Sequence, residues 1–273
     1  MKRILNTHLT AGAAALAALL CLAQAAQAAI LDDFNAGELI ADFQFDDADG
    51  TALDAAANSV DPLALFDNDS DNDNVVTNGL GQLDASGKDN TAFGSNYVDI
   101  GAISYGRAIG LFDVSWDFDE SVYDGAQDEE FRLTLVQFDP RSTFVTGETF
   151  FTRTSATEVT LTGNAVGTGS VDTSDAVFGS TGDMLTLIDV NLDESTLDLW
   201  YSIDDGVSFT LLGGGVLDPN RGIESLRVVL NEDFSNDTLL IERVALSFIV
   251  PEPTSAAIAC MALTALIGRR QRD

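Results

Sequence analysis

The chain has 273 residues, with 44 Asp or Glu against 13 Lys or Arg and a formal net charge of −31. So acidic a chain repels nucleic acid, which is excluded as a partner. Its one histidine, His8, and both cysteines, Cys21 and Cys260, lie near the ends, so residues 29–249 lack the groups for Ser-His-Asp or Cys-His catalysis, Cys/His zinc centres and disulfides.

Residues 1–28 read as a signal peptide: Lys2 and Arg3, an apolar run from Ala11 to Ala23, then small residues closing on Ala26-Gln27-Ala28. Ala26 and Ala28 fit the A-x-A pattern, which places the cut after Ala28, with Ala25 as the alternative. The implied partners are the Sec machinery and signal peptidase. Leu20 stands before Cys21 where a lipobox carries a small residue, which argues against a lipoprotein. Without the two ends, the body of residues 29–249 keeps eight basic residues against 42 acidic ones, and 8 − 42 = −34.

The body holds short alternating runs separated by Asp, Asn and Gly, and no long stretch of helical period, so it reads as all-β. In chain order, Asp47-Ala48-Asp49-Gly50 is either a pair of carboxylates converging on a cation or an Asx-type turn between strands. The run FDNDSDNDN follows, in which Asp67, Asp69, Asp71 and Asp73 alternate with Asn and Ser. These are hard oxygen donors of the kind calcium takes. With Asn72 and Asn78 at the sixth and twelfth positions it is no EF-hand, and a solvated acidic loop is the plainer reading. Ca2+ is the one candidate cofactor.

LFDVSWDF is the clearest strand, with Phe112, Val114, Trp116 and Phe118 on a core face and Asp113, Ser115 and Asp117 on the other. FRLTLVQF alternates in the same way through Phe131, Leu133 and Leu135. Residues 184–214 read as three strands with two tight turns, the second at Asp204-Asp205-Gly206. There Leu197, Leu199, Tyr201 and Ile203 are expected to face the core, and Asp198, Trp200 and Ser202 to face outward. Trp200 is the candidate platform for a sugar ring, which stacks its C–H face on an indole. Asp198 and Ser202 stand beside it, and Arg227 faces outward on SLRVVL. The rival reading is that Trp200 covers a sheet or an edge. SLRVVLNE and LLIERVALSFI complete a two-sheet antiparallel β-sandwich of roughly 10 to 14 strands, since an open sheet of that size splits or curls.

LIADFQFDDADGTALDAAANS resembles the first strand and loop of LamG-like, concanavalin A-type jelly rolls, and LRVVLNEDFSNDTLLIERVALS is similar to their last strands. The resemblance covers residues 37–249 and implies a jelly roll with glycan contact. The Glu-x-Asp-x-x-Glu strand of hydrolases of this type is missing, and the Asp113-Ser115-Asp117 face holds no glutamate. No catalytic residue is therefore assigned. The alternative is a carbohydrate-active enzyme, a glycoside hydrolase or lyase, working through paired carboxylates.

Residues 250–273 join Val250, Pro251, Glu252 and Pro253 to an apolar stretch, Ser255–Gly268, and to Arg269, Arg270 and Arg272. Fourteen residues make a short hydrophobic helix of about 21 Å, less than a hydrocarbon core of about 30 Å, with the arginines held on the cytoplasmic side. This layout resembles the PEP-CTERM sorting signal. The resemblance implies an exosortase as partner, cleavage near the Pro-Glu-Pro, and a transient membrane anchor in the inner membrane of a Gram-negative bacterium. It further implies transfer to the cell surface or extracellular matrix. The expectation is a non-catalytic structural or adhesive protein touching extracellular polysaccharide.

Overall fold

The computed structural model describes residues 30–61, 66–68, 75–84, 94–121, 123, 130–137, 144–164, 171–230 and 238–250. The expected alternation produces strands throughout. They are, in chain order, β1 (Glu38–Phe43), β2 (Phe66–Asn68), β3 (Val75–Thr77), β4 (Leu80–Asp84) and β5 (Gly94–Ile103). Next come β6 (Arg107–Asp117), β7 (Glu130–Gln137), β8 (Phe144–Ser155), β9 (Glu158–Asn164), β10 (Val171–Thr173) and β11 (Ala176–Gly179). The last are β12 (Thr181–Asn191), β13 (Thr196–Ser202), β14 (Thr210–Val216), β15 (Ile223–Leu230) and β16 (Thr238–Ile249).

They form two antiparallel sheets, so the fold is the expected β-sandwich of jelly-roll type. The first, of nine strands, runs β10-β14-β13-β12-β6-β16-β4-β3, with β1 also paired to β16. The second, of seven, runs β11-β9-β8-β7-β15-β5-β2. The described residues thus carry more strands than the sequence suggests. The surplus is in pieces of three or four residues, too short to show a period.

The space between the sheets is filled by the alternating residues of the central strands. Phe112, Val114 and Trp116 of β6 meet Phe131, Leu133 and Leu135 of β7, all buried. Phe131 and Phe151 stack with centroids 4.1 Å apart, and Trp116 tilts over Phe151 at 5.4 Å. The Trp116 indole N–H donates to the Gly179 carbonyl at 3.0 Å, so its polar edge is satisfied inside the core. Burying each ring contributes about 2–3 kcal/mol.

Two features depart from the sequence reading. A helix, α1 (30–36), lies on the outer face of the nine-stranded sheet. Its Ile30 and Phe34 pack with Ile109, Leu111, Leu187, Phe209 and Ala245 in a second, smaller apolar cluster. Ser247 donates its hydroxyl to the Phe34 carbonyl at 2.7 Å, and Arg107 holds Asp33 at 2.6 Å. Ile203, expected in the core, is 66 % exposed, because β13 ends at Ser202 and the turn swings Ile203 out of the pleat.

Candidate functional site

β13 sits between β12 and β14, and its outer side chains alternate as expected: Asp198 and Trp200 point away from the main core. Asp198 stands between Asp189 of β12 and Gly214 of β14. Gly214 has no side chain to offer, and the Asp198 carboxylate lies directly across it. Asp189 is engaged by Arg107, whose Nε and Nη2 donate to its two oxygens at 2.7 and 2.8 Å. Burial, and then the neighbouring Asp189, push the Asp198 carboxyl above its ordinary range, while Arg107 pulls it back. The result is a charged row Asp33–Arg107–Asp189–Asp198 across the outer face.

Trp200 is half-buried. A register shift after Leu199 sets it opposite Leu211, which is 46 % exposed, while Leu187 flanks it on β12. It packs against the smaller apolar cluster, and its Nε1 is buried with no hydrogen-bond partner. The indole therefore covers the sheet, as the rival reading held, and keeps part of its surface open beside Asp198.

The other two residues of the expected glycan set do not join these. Ser202 is buried at the head of the turn, where its hydroxyl donates to Asp204 at 2.7 Å and accepts from the Gly206 N–H at 3.0 Å. Asp205 and Gly206 both have positive φ, 52° and 79°, the geometry for which hairpins use Asp-Gly. Arg227 does face outward, but on β15 of the seven-stranded sheet, opposite Tyr97 and Thr134. It is on the far side of the sandwich from Trp200.

Sequence reasoning missed a cluster farther along the outer face of the nine-stranded sheet. Asp113 of β6, Asp183 of β12, Asp205 of the turn and Glu242 of β16 line one cavity of about 180 Å³. An adjoining cavity of about 230 Å³ shares Asp113 and Asp205 and adds Asn35 and Arg243. Burial, then Glu242, Asp205 and Asp183, push Asp113 up to about 6, against a smaller pull from Arg243. Arg243 is itself paired with Asp42 at 2.7 Å and lies over the Phe34 ring.

Asp47 accepts the Ala57 N–H at 2.9 Å and Asp49 the Asn78 N–H at 2.7 Å, so the two carboxylates fasten two different turns. Among the described residues no three Asp, Glu, His or Cys side chains are grouped to hold a metal. Asp67 lies in β2, where only its backbone is described. Asp69, Asp71 and Asp73 lie outside the described residues, as do Ala26, Ala28, Pro251, Glu252, Pro253, Arg269, Arg270 and Arg272. No helix among the described residues is long and apolar enough to cross a membrane.

No family model matches the chain, and no curated protein matches it. Among solved structures it is similar to the CBM2 module of the evolved Dit of Lactobacillus casei BL23 phage J-1. That similarity is at 11 % identity and TM-score 0.49, covering 79 % of this chain and 97 % of that one. It is also similar to lectin II from Ulex europaeus, at 10 % identity and TM-score 0.43, over 68 % of this chain and 92 % of the other. For peanut lectin with a 9mer peptide the values are 15 % and 0.44, over 79 % and 100 %.

Proposed function

We propose that this is an exported, non-catalytic protein of the cell surface or extracellular matrix that contacts polysaccharide through the outer face of its nine-stranded sheet. One observation carries the glycan reading: Trp200 and Asp198 alternate on β13, with the Asp198 carboxylate laid over the bare backbone of Gly214. A partly exposed indole supplies an apolar surface for a sugar C–H face. A carboxylate beside it, laid across a glycine, accepts two hydroxyl hydrogens from the same ring. The export reading is supported by residues 1–28 and 250–273, and by β16 closing at Ile249, just before Val250-Pro251-Glu252-Pro253. In it, Sec and signal peptidase remove the first segment, and an exosortase acts on the second.

The test is gel retardation of the mature protein by the host's own exopolysaccharide. Asp198→Asn, at a site that makes no structural ion pair, is expected to abolish the retardation while the melting temperature stays within a degree or so. Retardation unchanged in Asp198→Asn rejects this site. Trp200→Ala is a poor probe, because Trp200 also packs against the smaller cluster.

A second reading rests on Asp113. A carboxyl held near pH 6 among Asp183, Asp205 and Glu242 is what a general acid needs beside an ionised partner. Release of reducing ends from the same polysaccharide, lost in Asp113→Asn, would favour a hydrolase over a binding protein.

A further inference from the structure

β16 delivers the chain to one end of the sandwich. Ile249 pairs with Arg107, Arg107 with Asn191, Asn191 with Thr196, and Thr196 with Val216, a row that marks the rim of the nine-stranded sheet. Two turns close this rim and are tied together. Leu192 donates its N–H to the Gly106 carbonyl at 2.9 Å, and Gly106 donates its own to Asp193 at 3.0 Å. Tyr105 stands at the tip of the first turn, 59 % exposed, edge-on to Phe248 at 5.7 Å. Val216 and Val250, exposed by 61 % and 55 %, stand on the same rim.

Five residues, 250–254, lie between Ile249 and Ser255, where the apolar stretch begins. Fully extended, the six steps between those two residues span about 21 Å, and a headgroup layer takes up about 5–8 Å of that. With Ser255–Gly268 in a bilayer, the tether holds this rim within about 13–16 Å of the surface, nearer than the opposite end of the strands. We propose that, while the tail is in the membrane, the rim of Tyr105, Val216 and Val250 is the membrane-facing end of the body, with Tyr105 entering the headgroup layer. This rests on the reading of residues 255–268 as a membrane segment. A tyrosine suits that layer because its ring is apolar and its hydroxyl stays wet. The exposed Glu38, Asp193 and Glu194 at the same end repel anionic lipid, so the contact depends on the tether and ends when the tail is cut.

The test uses the mature chain with its tail, carrying Cys260→Ser and one new cysteine. Tyr105→Cys and Val216→Cys probe the rim, and Thr157→Cys, in the exposed β8–β9 turn at the other end, is the control. Each is labelled with a fluorophore, placed in vesicles of phosphatidylethanolamine and phosphatidylglycerol in equal parts, and read against a quencher fixed at the lipid headgroup. Melting curves confirm that each variant is folded. Quenching is expected to be several-fold stronger at position 105 than at 157, with position 216 above 157 as well. Equal quenching at all three positions, with the chain still sedimenting with the vesicles, overturns the orientation and leaves the tail reading intact. A chain that does not sediment with the vesicles overturns both.

Discussion

Asp113 shows how a single residue acquires properties its sequence neighbours do not foretell. The alternation of LFDVSWDF makes its outward direction legible. Its neighbours Asp183, Asp205 and Glu242 come from three other elements, and no spacing announces them. Because its folded value near 6 exceeds the ordinary 3.8, the folded protein holds this proton more tightly than the unfolded chain. Stability is therefore expected to rise as pH falls from above 6 towards 4. Asp113→Asn removes the charge, so it should stabilise the protein at pH 8 by about 1 kcal/mol, a figure already reduced for solvent screening of a half-exposed group. The gain should vanish by pH 4, as denaturant melts at the two pH values will show. Trp200 yields the converse expectation. Its buried, unpaired Nε1 costs about 1 kcal/mol or more, so Trp200→Phe should leave the melting temperature unchanged or higher, although it deletes part of an indole. Arg107 is the strongest single tie on this face. Arg107→Ala leaves Asp189 buried without its cation and should cost about 2–3 kcal/mol by the same melts.

At the scale of elements, the strands were legible wherever one face is core and the other is not. Phe112, Val114, Trp116 and Phe118 are buried as the alternation requires, and so are Phe131, Leu133, Leu135, Leu197 and Leu199. The reading failed where that contrast disappears. Ile109 and Leu111 face outward on β6 and yet are buried, because α1 lies over them. α1 itself spans two turns at most, too few for a period to show, and its partners lie on strands as far as 213 residues away. Its removal is expected to matter. Phe34→Ala should cost about 3–4 kcal/mol, in the range for emptying a buried aromatic site. Gly37→Ala should destabilise through the same joint, since a methyl there collides with the Ser247 hydroxyl that holds the Phe34 carbonyl. Thermal melts of the two variants, and hydrogen exchange at Ile109 and Leu111, distinguish a lost helix from a lost sheet. Of the expected glycan set, only the outward direction was legible, for a related reason. Parity placed Asp198, Trp200 and Arg227 on outer faces, but which sheet each strand joins depends on pairing that one sequence does not display.

At the scale of the whole molecule, a body carrying 42 acidic and eight basic residues repels itself. Its melting temperature should climb by several degrees as sodium chloride is raised from a few millimolar to half molar, because screening removes repulsion faster than it weakens the few ion pairs. The same repulsion opposes self-association of the body. In the proposed reading the two end segments give the molecule a destination, because a targeting signal is read as linear sequence, without a fold. Intact-mass and peptide mapping of the protein recovered from its native host will show whether both ends are removed. The expected species begins near Ala29, ends around Pro251–Pro253 and is found outside the inner membrane. A species that keeps Arg269 to Asp273 and stays in the membrane would contradict that reading, and would make the tail a permanent anchor for a domain that works on the cell that made it.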